Sequence, residues 1–457
     1  MTTPFITPNF ITADDTRYDS LRTGFQTYRP HRPDVIVGAR DAADVQTAVR
    51  YARDNGLPVA VQSSGHGLAT AADGGVLIDT RHMAQIHIDA AAGTVVAGAG
   101  AKWKDVIPAA AEHGLAPLCG SAPDVGVVGY TLGGGFGILS REFGYATDLV
   151  RSIDVVTADG DLRHATAETN TDLFWALRGG RDNVGIVTSI EIELLRVTRL
   201  YGGGLYFDAD LIPQLLETYR TWTATVPDAL TSAVALIPIP DVPAFPEAIR
   251  GKYVAHVRIA YTGSAADGER LVQPLRDVGP RLLDTLAEMP YSECGSIYSD
   301  PPFPHSYTGN NALLDALTQD TVEHVLDIVG PHAPVDCVVE IRHLGGAMGR
   351  KPAVPSAVGH RDAQFAVRVV SMVEQNIEEV RALHRRLFDA LRPRTLGRAV
   401  NFVYRGDPVR DPIDDAYEPA DLVRLRELKA VYDPSNMFRL NQNVDSILSR
   451  HPITHES

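Results

Sequence analysis

The sequence predicts an α+β protein built from two domains. Its length of 457 residues exceeds what one ordinary hydrophobic core holds. Strand-like and helix-like stretches alternate over residues 33–200, and from about residue 200 longer strand-like runs alternate with helices. Such runs favour an antiparallel sheet that helices cover on one face. We therefore predict one domain in residues 1–203, a second in 204–397, and a return of the chain to the first domain in 398–457.

The N-terminal region carries clear helix and strand signals. Residues 41–56 predict a helix with Asp41 as N-cap and Gly56 at its end. A helix is also expected at 170–180. Runs of β-forming residues predict strands at 34–37, 58–63, 75–80 and 153–160. The alternation in residues 185–195 predicts a strand whose buried face is formed by Ile186, Thr188, Ile190 and Ile192.

The central region predicts the larger sheet. Strands are expected at 231–240, 252–263, 335–346 and 364–373, and helices near 211–225, 264–278, 312–329 and 374–391. Two stretches rich in proline and polar residues, 238–250 and 298–311, predict surface loops over a site. In the tail we expect a strand at 398–404 and a helix at 419–432.

Composition narrows the classes of partner. The chain has 42 Lys+Arg against 57 Asp+Glu, a net charge of −15, which disfavours nucleic acids and anionic membranes as partners. Its three cysteines, Cys119, Cys294 and Cys337, form no CxxC pair, so neither a disulfide framework nor a metal site is expected. No signal peptide and no membrane span are predicted. We expect a cytoplasmic protein that acts on a small molecule; the sequence indicates no oligomeric state.

One histidine lies between two glycines in the stretch VQSSGHGLATAADGG, residues 61–75. A histidine that only packs in a core does not need glycine on both sides. A histidine that meets a large planar partner, with backbone close behind it, does benefit from them. His66 is therefore a candidate ligand-binding residue, although a lone histidine is more often a hydrogen-bonded core residue.

The segment PLCGSAPDVGVVGYTLGGGFGILSREFGYATDLV, residues 117–150, is dense in glycine. Glycines let backbone N–H groups approach a phosphate or a flat ring without Cβ atoms in the way. A nicotinamide-dinucleotide fingerprint is one interpretation, since Asp154 follows at about the right distance. The glycines do not follow a clear strand, however, and Gly144 interrupts what comes after them. A tight packed turn is the structural alternative.

Four ordered motifs together resemble a known family. The segments SSGHG, LIDTRHM, PDVGVVGYTLGGGFGILSREFGYATDLVRSIDVVTADG and DLFWALRGGRDNVGIVTSIEIEL are similar to the FAD-binding domain of the vanillyl-alcohol-oxidase type, also called PCMH-type. The ending LKAVYDPSNMFRLNQNV resembles the tail of berberine-bridge-enzyme-like oxidases. The resemblance spans nearly the whole chain and implies the two-domain PCMH-type fold, with the FAD-binding domain in 1–203 and 398–457.

The resemblance implies a covalently held FAD. His66 matches the histidine that bonds to the 8α-methyl of the flavin, with Gly65 and Gly67 leaving room for the ring edge. The remaining cofactor-binding residues implied are Ser63, Ser64, Ser121, Val125, Gly126, Gly129, Tyr130, Gly133, Gly134, Gly135, Gly137, Gly180, Gly185, Val187, Asn441 and Asn443. The structural alternative for the two asparagines is capping of local turns.

The chain departs from the family pattern at two cofactor positions. Many relatives have a second link through a cysteine at the position of Ala122, whereas Cys119 lies three residues too early, up to about 10 Å of backbone. We expect a single covalent link and a filler role for Cys119. Val125 matches the position near flavin C4a; its small side chain favours access of O₂ and thus an oxidase.

The usual catalytic tyrosines of the family are also missing, because their positions hold Ala399 and Phe136. Our candidates for the catalytic base are Glu340 and His343 on the segment VVEIRHLGG, together with Tyr404 and Tyr130. A carboxylate beside Arg342 is more often a plain ion pair.

The resemblance implies an FAD-dependent oxidase. It would pass hydride from a C–OH, C–N or activated C–H of a small or medium organic substrate to flavin N5, and O₂ would reoxidise the flavin to give H₂O₂. Two alternatives stay open: an NAD-dependent dehydrogenase, and a flavin-binding protein without turnover.

Overall fold

The computed structural model describes residues 10–68, 70–373, 376–404 and 412–445. These residues form three β-sheets, of four, five and nine strands. The two smaller sheets come from the N-terminal region and the nine-stranded sheet from the central region. The structure thus has the predicted α+β architecture.

The four-stranded sheet is mostly parallel. Its strands are β1 (Phe10–Ile11), β2 (Val35–Gly38), β3 (Val59–Gln62) and β4 (Val76–Asp79), in the order β1-β2-β4-β3. Only β1 runs antiparallel to its neighbour. Helix α1 (Tyr18–Leu21) follows β1, and helix α2 (Ala42–Asp54) connects β2 to β3. Asp41 is the N-cap of α2, as predicted: its carboxylate accepts a hydrogen bond of 2.9 Å from the Asp44 amide.

The five-stranded sheet is antiparallel. Its strands are β5 (Ile86–Asp89), β6 (Thr94–Gly98), β7 (Val150–Val156), β8 (Leu162–Thr166) and β9 (Ile186–Glu193), in the order β5-β6-β9-β7-β8. The helices of this region are α3 (Trp103–Ala111), α4 (Val127–Leu132), α5 (Ser140–Phe143) and α6 (Thr171–Gly180). The predicted inner face of β9 is confirmed, because Ile186, Thr188, Ile190 and Ile192 are all buried.

The nine-stranded sheet is antiparallel throughout. Its strands are β10 (Arg199–Asp208), β11 (Leu230–Pro238), β12 (Tyr253–Tyr261), β13 (Leu283–Asp284), β14 (Ala287–Pro290), β15 (Tyr307–Leu314), β16 (Val338–His343), β17 (Phe365–Met372) and β18 (Thr395–Gly397). The order is β13-β10-β12-β11-β16-β17-β15-β18, and β14 also pairs with β10. The remaining helices are α7 (Ile212–Trp222), α8 (Ala265–Arg276), α9 (Gln319–Val329), α10 (Ile377–Leu391) and α11 (Pro419–Tyr432).

Helices cover one face of the nine-stranded sheet, as predicted. Helices α7 to α10 pack against alternate apolar residues of the strands, and this core includes Val257, Ile259, Val339, Ile341 and Val367. Because side chains alternate between the two faces of a strand, the intervening positions point away from the helices. That second face looks toward the N-terminal domain.

Three details differ from the sequence-based expectation. Residues 398–404 form a short 3₁₀ turn, Val400–Phe402, instead of a strand. The side-chain amide of Asn311 takes both hydrogen bonds of the Ala399 backbone that a neighbouring strand would have taken. The helix expected from residue 312 begins at Gln319, because Ala312–Leu314 end strand β15. Strand β10 begins at Arg199, ahead of the predicted limit at 204.

Candidate functional site

A cavity of about 800 Å³ lies between the N-terminal domain and the uncovered face of the nine-stranded sheet. Residues 61–68 and 120–130 form much of one wall, strands β12, β16 and β17 form the other, and residues 401–404 and 440–442 contribute from the tail. The sequence-predicted site residues that line it are Ser63, Ser64, Gly65, His66, Gly67, Ser121, Val125, Gly126, Gly129, Tyr130, Val187, Glu340, Tyr404 and Asn441.

His66 is held rigidly at the cavity wall. Its ring stacks on Phe25, with centroids 3.7 Å apart and planes 13° from parallel. Its Nδ1 lies 3.0 Å from Ser64 Oγ, whereas Nε2 is buried and has no hydrogen-bond partner among the described residues. Burial lowers the pKa of His66 to about 4, so the imidazole is neutral at pH 7. A neutral imidazole keeps a lone pair on one nitrogen and can act as a nucleophile.

Three predicted cofactor glycines that line the cavity, Gly65, Gly126 and Gly129, have different structural surroundings. Gly65 has φ +70°, and a Cβ there would lie 2.6 Å from Gly24 Cα, so the chain itself requires glycine. A Cβ on Gly129 would meet no atom within 4 Å, because that position opens into the cavity. At Gly126 a Cβ would touch only Ser63 and Ser64 hydroxyls and the Ala101 carbonyl. Of these three, Gly126 and Gly129 leave space for a ligand.

Six predicted cofactor glycines do not line the cavity: Gly133, Gly134, Gly135, Gly137, Gly180 and Gly185. They let protein groups approach each other instead. A Cβ on Gly137 would lie 2.1 Å from the Cys119 carbonyl oxygen, and one on Gly135 would lie 2.5 Å from the Tyr130 ring. Asn401 lies directly against Gly133 and donates to the Tyr130 carbonyl at 2.8 Å. The structure gives this part of the run the packing role that was the alternative.

The two C-terminal asparagines, Asn441 and Asn443, have different surroundings. Asn441 lines the cavity, and its Nδ2 donates to the Asp182 carbonyl at 3.2 Å while Oδ1 has no partner among the described residues. Asn443 lies outside the cavity wall and donates to Asp445 at 2.7 Å, a local turn contact.

Cys119 is placed away from the cavity. Its thiol is buried, 3.2 Å from the Tyr291 hydroxyl and 3.9 Å from Cys294 Sγ. Ala122, the position where relatives carry the second link, does line the cavity. Val125 is beside it, half-buried and also at the cavity wall.

Glu340 lies at the centre of a charged group on the uncovered sheet face. Arg258 reaches its Oε1 and Arg342 reaches its Oε2, each at 2.5 Å. Burial alone would raise the pKa of Glu340, but the charges of Arg342 and Arg258 outweigh burial and lower it to about 2. An anion held this firmly is a weak proton acceptor at neutral pH, so the site argues against Glu340 as the base.

His343, another predicted base, does not reach the cavity. It is three residues after Glu340 on the same strand and therefore points to the opposite face. Its Nε2 lies 2.8 Å from Arg141, and burial lowers the pKa of His343 to about 3. The structure gives this side chain a packing position.

The two remaining candidates are phenols at the cavity. Tyr130 is packed edge-on to Trp103, and its hydroxyl is buried with no hydrogen-bond partner among the described residues. Burial raises the pKa of Tyr130 well above its usual value, so this phenol stays neutral and donates. The hydroxyl of Tyr404 accepts a 3.3 Å hydrogen bond from Arg368.

Sequence reasoning missed several lining residues. Arg258 and Arg368 lie on strands that were predicted, but nothing in the sequence indicated that these strands bring them to Glu340. Tyr307, whose hydroxyl donates to the His66 carbonyl at 2.6 Å, was assigned to a loop. An arginine inside an otherwise apolar strand, as in HVRIAY (256–261) and FAVRVV (365–370), was the available signal.

The cavity fits a large polar cofactor. Several of its buried polar atoms have no hydrogen-bond partner among the described residues, and they are Gln62 Oε1, Ser63 Oγ, His66 Nε2, Tyr130 Oη, Arg181 Nε, Arg368 Nε and Asn441 Oδ1. Buried polar groups are normally satisfied. A ligand with both donors and acceptors, which the flavin and ribityl parts of FAD provide, would satisfy them. Fold and site together define the class of FAD-linked oxidoreductases.

Comparison with known proteins agrees with that class. Residues 33–166 match the model of an FAD binding domain, and residues 414–445 match the model described as berberine and berberine like. The (R)-6-hydroxynicotine oxidase of Paenarthrobacter nicotinovorans is 30% identical over 445 residues, covering 94% of this chain and 95% of that one. The chain belongs to the berberine-bridge-enzyme-like family of FAD-linked oxidoreductases.

Solved structures support the fold. The 6-hydroxy-D-nicotine oxidase of Arthrobacter nicotinovorans superposes with a TM-score of 0.83 at 26% identity, covering 97% of this chain and 99% of that one. The xylooligosaccharide oxidase of Myceliophthora thermophila gives a TM-score of 0.84 at 22% identity, over 96% and 97% of the two chains.

Family membership decides between the alternatives left open by the sequence. The FAD-binding match covers the whole glycine-rich segment, so the nicotinamide interpretation of that segment is wrong. An enzymatic oxidoreductase is supported over a flavin-binding protein without turnover. Within the described ranges no helix is both long and apolar enough to cross a membrane. A cytoplasmic location stays a prediction.

Proposed function

We propose that the protein is an oxidase that holds FAD through one covalent bond to His66 and oxidises a small organic alcohol or amine, with O₂ as acceptor. The observation that carries the proposal is the His66 ring, which is neutral, fixed by Phe25 and Ser64, and part of the cavity wall, with a buried Nε2 that has no hydrogen-bond partner among the described residues. The oxidases among the relatives support O₂ as the acceptor.

Residues from three segments would hold the cofactor. His66 would bind it covalently, Ser63 and Ser64 would offer hydroxyls, Gly126 and Gly129 would leave the space, and Asn441 would supply an amide oxygen. Bound FAD supplies the redox chemistry by accepting a hydride equivalent from the substrate and passing the electrons to O₂. The protein positions the substrate, excludes water and handles the substrate's proton.

The residue that handles the substrate's proton would be one of the two tyrosines at the cavity. Glu340 is held by two guanidinium groups, and His343 lies on the opposite face of the sheet. Tyr130 is a neutral donor at the wall. Tyr404 lines the cavity and is fixed by the hydrogen bond from Arg368, and as a phenolate beside that guanidinium it would take the proton of a substrate O–H or N–H group. We assign the proton-accepting role to Tyr404.

The covalent link is tested by denaturing the purified enzyme in acid or SDS and measuring the flavin that stays with the polypeptide. The wild type should retain its flavin, and His66→Ala should retain none while still containing some FAD under native conditions. His164→Ala is the control, because His164 is exposed and pairs with Asp154 outside the cavity. Complete release of flavin from the wild type would refute the link.

The single link is tested on Cys119. Cys119→Ala should keep the denaturation-resistant flavin, since the thiol faces Tyr291 and Cys294. A peptide map with flavin on both His66 and Cys119 would contradict this.

Oxidase activity is tested by measuring H₂O₂ release with a panel of alcohols and amines. If O₂ reoxidises the reduced enzyme no faster than it reoxidises free flavin, the protein is not an oxidase.

A further inference from the structure

Three arginines meet at the uncovered face of the nine-stranded sheet, at the cavity wall. Arg258 is on β12, Arg342 on β16 and Arg368 on β17. Strand β11 lies between β12 and β16, and it presents Ala233 and Ala235 opposite the charged residues. Because these alanines are short, the Arg258 guanidinium reaches over β11 to Glu340.

The single carboxylate in this group is fully used. Arg258 occupies Oε1 of Glu340 and Arg342 occupies Oε2. Arg368 is directly opposite Glu340 in the β16–β17 register but forms no salt bridge with it. Its one hydrogen bond among the described residues goes to the hydroxyl of Tyr404, and its buried Nε has no partner there.

The other carboxylates of the cavity form no salt bridge with Arg368 among the described residues. Burial would lower the pKa of Arg368, but Tyr404, Glu340 and Asp300 outweigh burial and raise it, so the guanidinium is charged. Asp300 accepts a 2.6 Å hydrogen bond from Ser121, Asp336 is exposed, and Asp182 is beside Arg181. Within the described ranges, no carboxylate oxygen lies within 4.0 Å of the Arg368 guanidinium, although the guanidinium lines the cavity. The guanidinium lies 4.8 Å from the centroid of the Phe402 ring and has no ion-pair partner within the described ranges, so a carboxylate of the ligand would form its first salt bridge.

We propose that the substrate of this enzyme carries a carboxylate group, which Arg368 binds, with the Glu340–Arg342–Arg258 group behind it. Guanidinium groups pair with carboxylates through charge-assisted hydrogen bonds, often two at once. The inference rests on the proposed function and narrows it: an acid is favoured over a molecule whose only charge is an ammonium, which Arg368 would repel.

The test measures binding, not turnover. Purified flavin-containing enzyme is titrated calorimetrically with benzoate and with benzamide, its neutral isostere, at fixed ionic strength. The wild type should bind benzoate ~10- to 100-fold more tightly, the range expected for a hydrogen bond to a charged group. Equal affinity for the two probes would overturn the proposal, and this comparison needs no variant.

Variants assign the preference to Arg368. Arg368→Gln should abolish the preference for benzoate, because it weakens the binding of benzoate and leaves the binding of benzamide unchanged. Arg368→Lys should restore part of the preference. The matched control is Arg220→Gln, because Arg220 pairs with Glu217 on helix α7, on the covered side of the same sheet. If Arg368→Gln weakens both probes equally, or shifts the flavin midpoint potential while the benzoate preference remains, Arg368 serves the fold or the cofactor and the proposal is wrong.

Failure of the carboxylate-binding proposal gives a different result from failure of the proposed oxidase function. A benzoate preference in an enzyme that releases no H₂O₂ with any substrate would support the anion site and refute the oxidase. Rapid H₂O₂ release from neutral alcohols or amines, with no preference for benzoate, would support the oxidase and refute the anion site.

Discussion

The two walls of the cavity are built in different ways. The wall of the N-terminal domain consists mostly of glycine, serine and apolar residues from two contiguous segments, around His66 and Gly126. The wall of the nine-stranded sheet carries Arg258 from β12 and Glu340 and Arg342 from β16, all more than 90% buried. The first wall offers backbone and space to a cofactor; the second offers fixed charge. The cofactor side is thus a local property of the sequence, whereas the substrate side depends on strand register.

Removing the carboxylate at the centre of the charged wall should have the largest effect on the free energy of unfolding. Glu340→Gln leaves the guanidinium groups of Arg258 and Arg342 without their carboxylate, and breaking a buried pair of this kind costs about 3–5 kcal/mol of unfolding free energy. Chemical unfolding measures it. The control is Glu217→Gln, an exposed pair with Arg220 that should change stability by less than about 1 kcal/mol. An equal, small effect of both would show that the charged wall does not need Glu340.

Acid should destabilise the protein in two windows. The folded pKa of Glu340 is about 2, below its ordinary value of 4.5, so the contribution of Glu340 to stability is present above pH 4.5 and disappears as the pH falls toward 2. That shift corresponds to roughly 3 kcal/mol. The buried histidines His31 and His384 have pKa values lowered from 6.5 to about 4, so the unfolded state gains protons first and stability falls from pH 6.5 downward.

Unfolding measured from pH 8 to pH 2 separates these windows. Glu340→Gln should keep the loss between pH 6.5 and 4 and show a smaller loss below pH 4, where His343, with a pKa of about 3, still contributes. A wild type with no loss of stability below pH 4.5 would contradict the pairing of Glu340 with the arginines.

Two glycines of the same segment should respond in opposite ways. Gly137→Ala drives a Cβ into the Cys119 carbonyl and should lower the unfolding free energy by about 1–3 kcal/mol. Gly129→Ala meets no protein atom and lies in helix α4, so the fold should tolerate it while the FAD content per chain falls. Flavin absorbance and urea unfolding measure both quantities. Full FAD content in Gly129→Ala would remove this position from the cofactor site.

The smallest effect should come from one added methylene at the cofactor wall. Val125→Leu narrows the cavity beside Ala122 and should slow reoxidation of the reduced enzyme by O₂ by roughly tenfold, about 1.4 kcal/mol in the barrier. Anaerobic reduction by substrate should be nearly unchanged. Stopped-flow measurement of the two half-reactions separates them, and an equally fast Leu variant would mean that Val125 does not control access of O₂.

Local chemistry made much of this molecule predictable from sequence. The N-cap at Asp41, the buried alternation of β9 and the covered sheet follow from patterns within a few residues. His66 and the glycines that open to the cavity could be identified because they belong to contiguous motifs. The separation of Glu340 from His343 was likewise contained in the sequence, since three positions along a strand place them on opposite faces.

The sequence by itself determined the two-domain α+β class, the family motifs and the histidine that lines the cavity, because each depends on neighbouring residues. Only the tertiary structure decided which charges meet. Arg258 and Glu340 are 82 residues apart and touch because strand order places β11, with two alanines, between them. It also decided which glycines open to the cavity and which pack against Cys119 or Tyr130. Both outcomes depend on contacts between distant segments, and these are fixed by sheet register and packing, which no local pattern encodes.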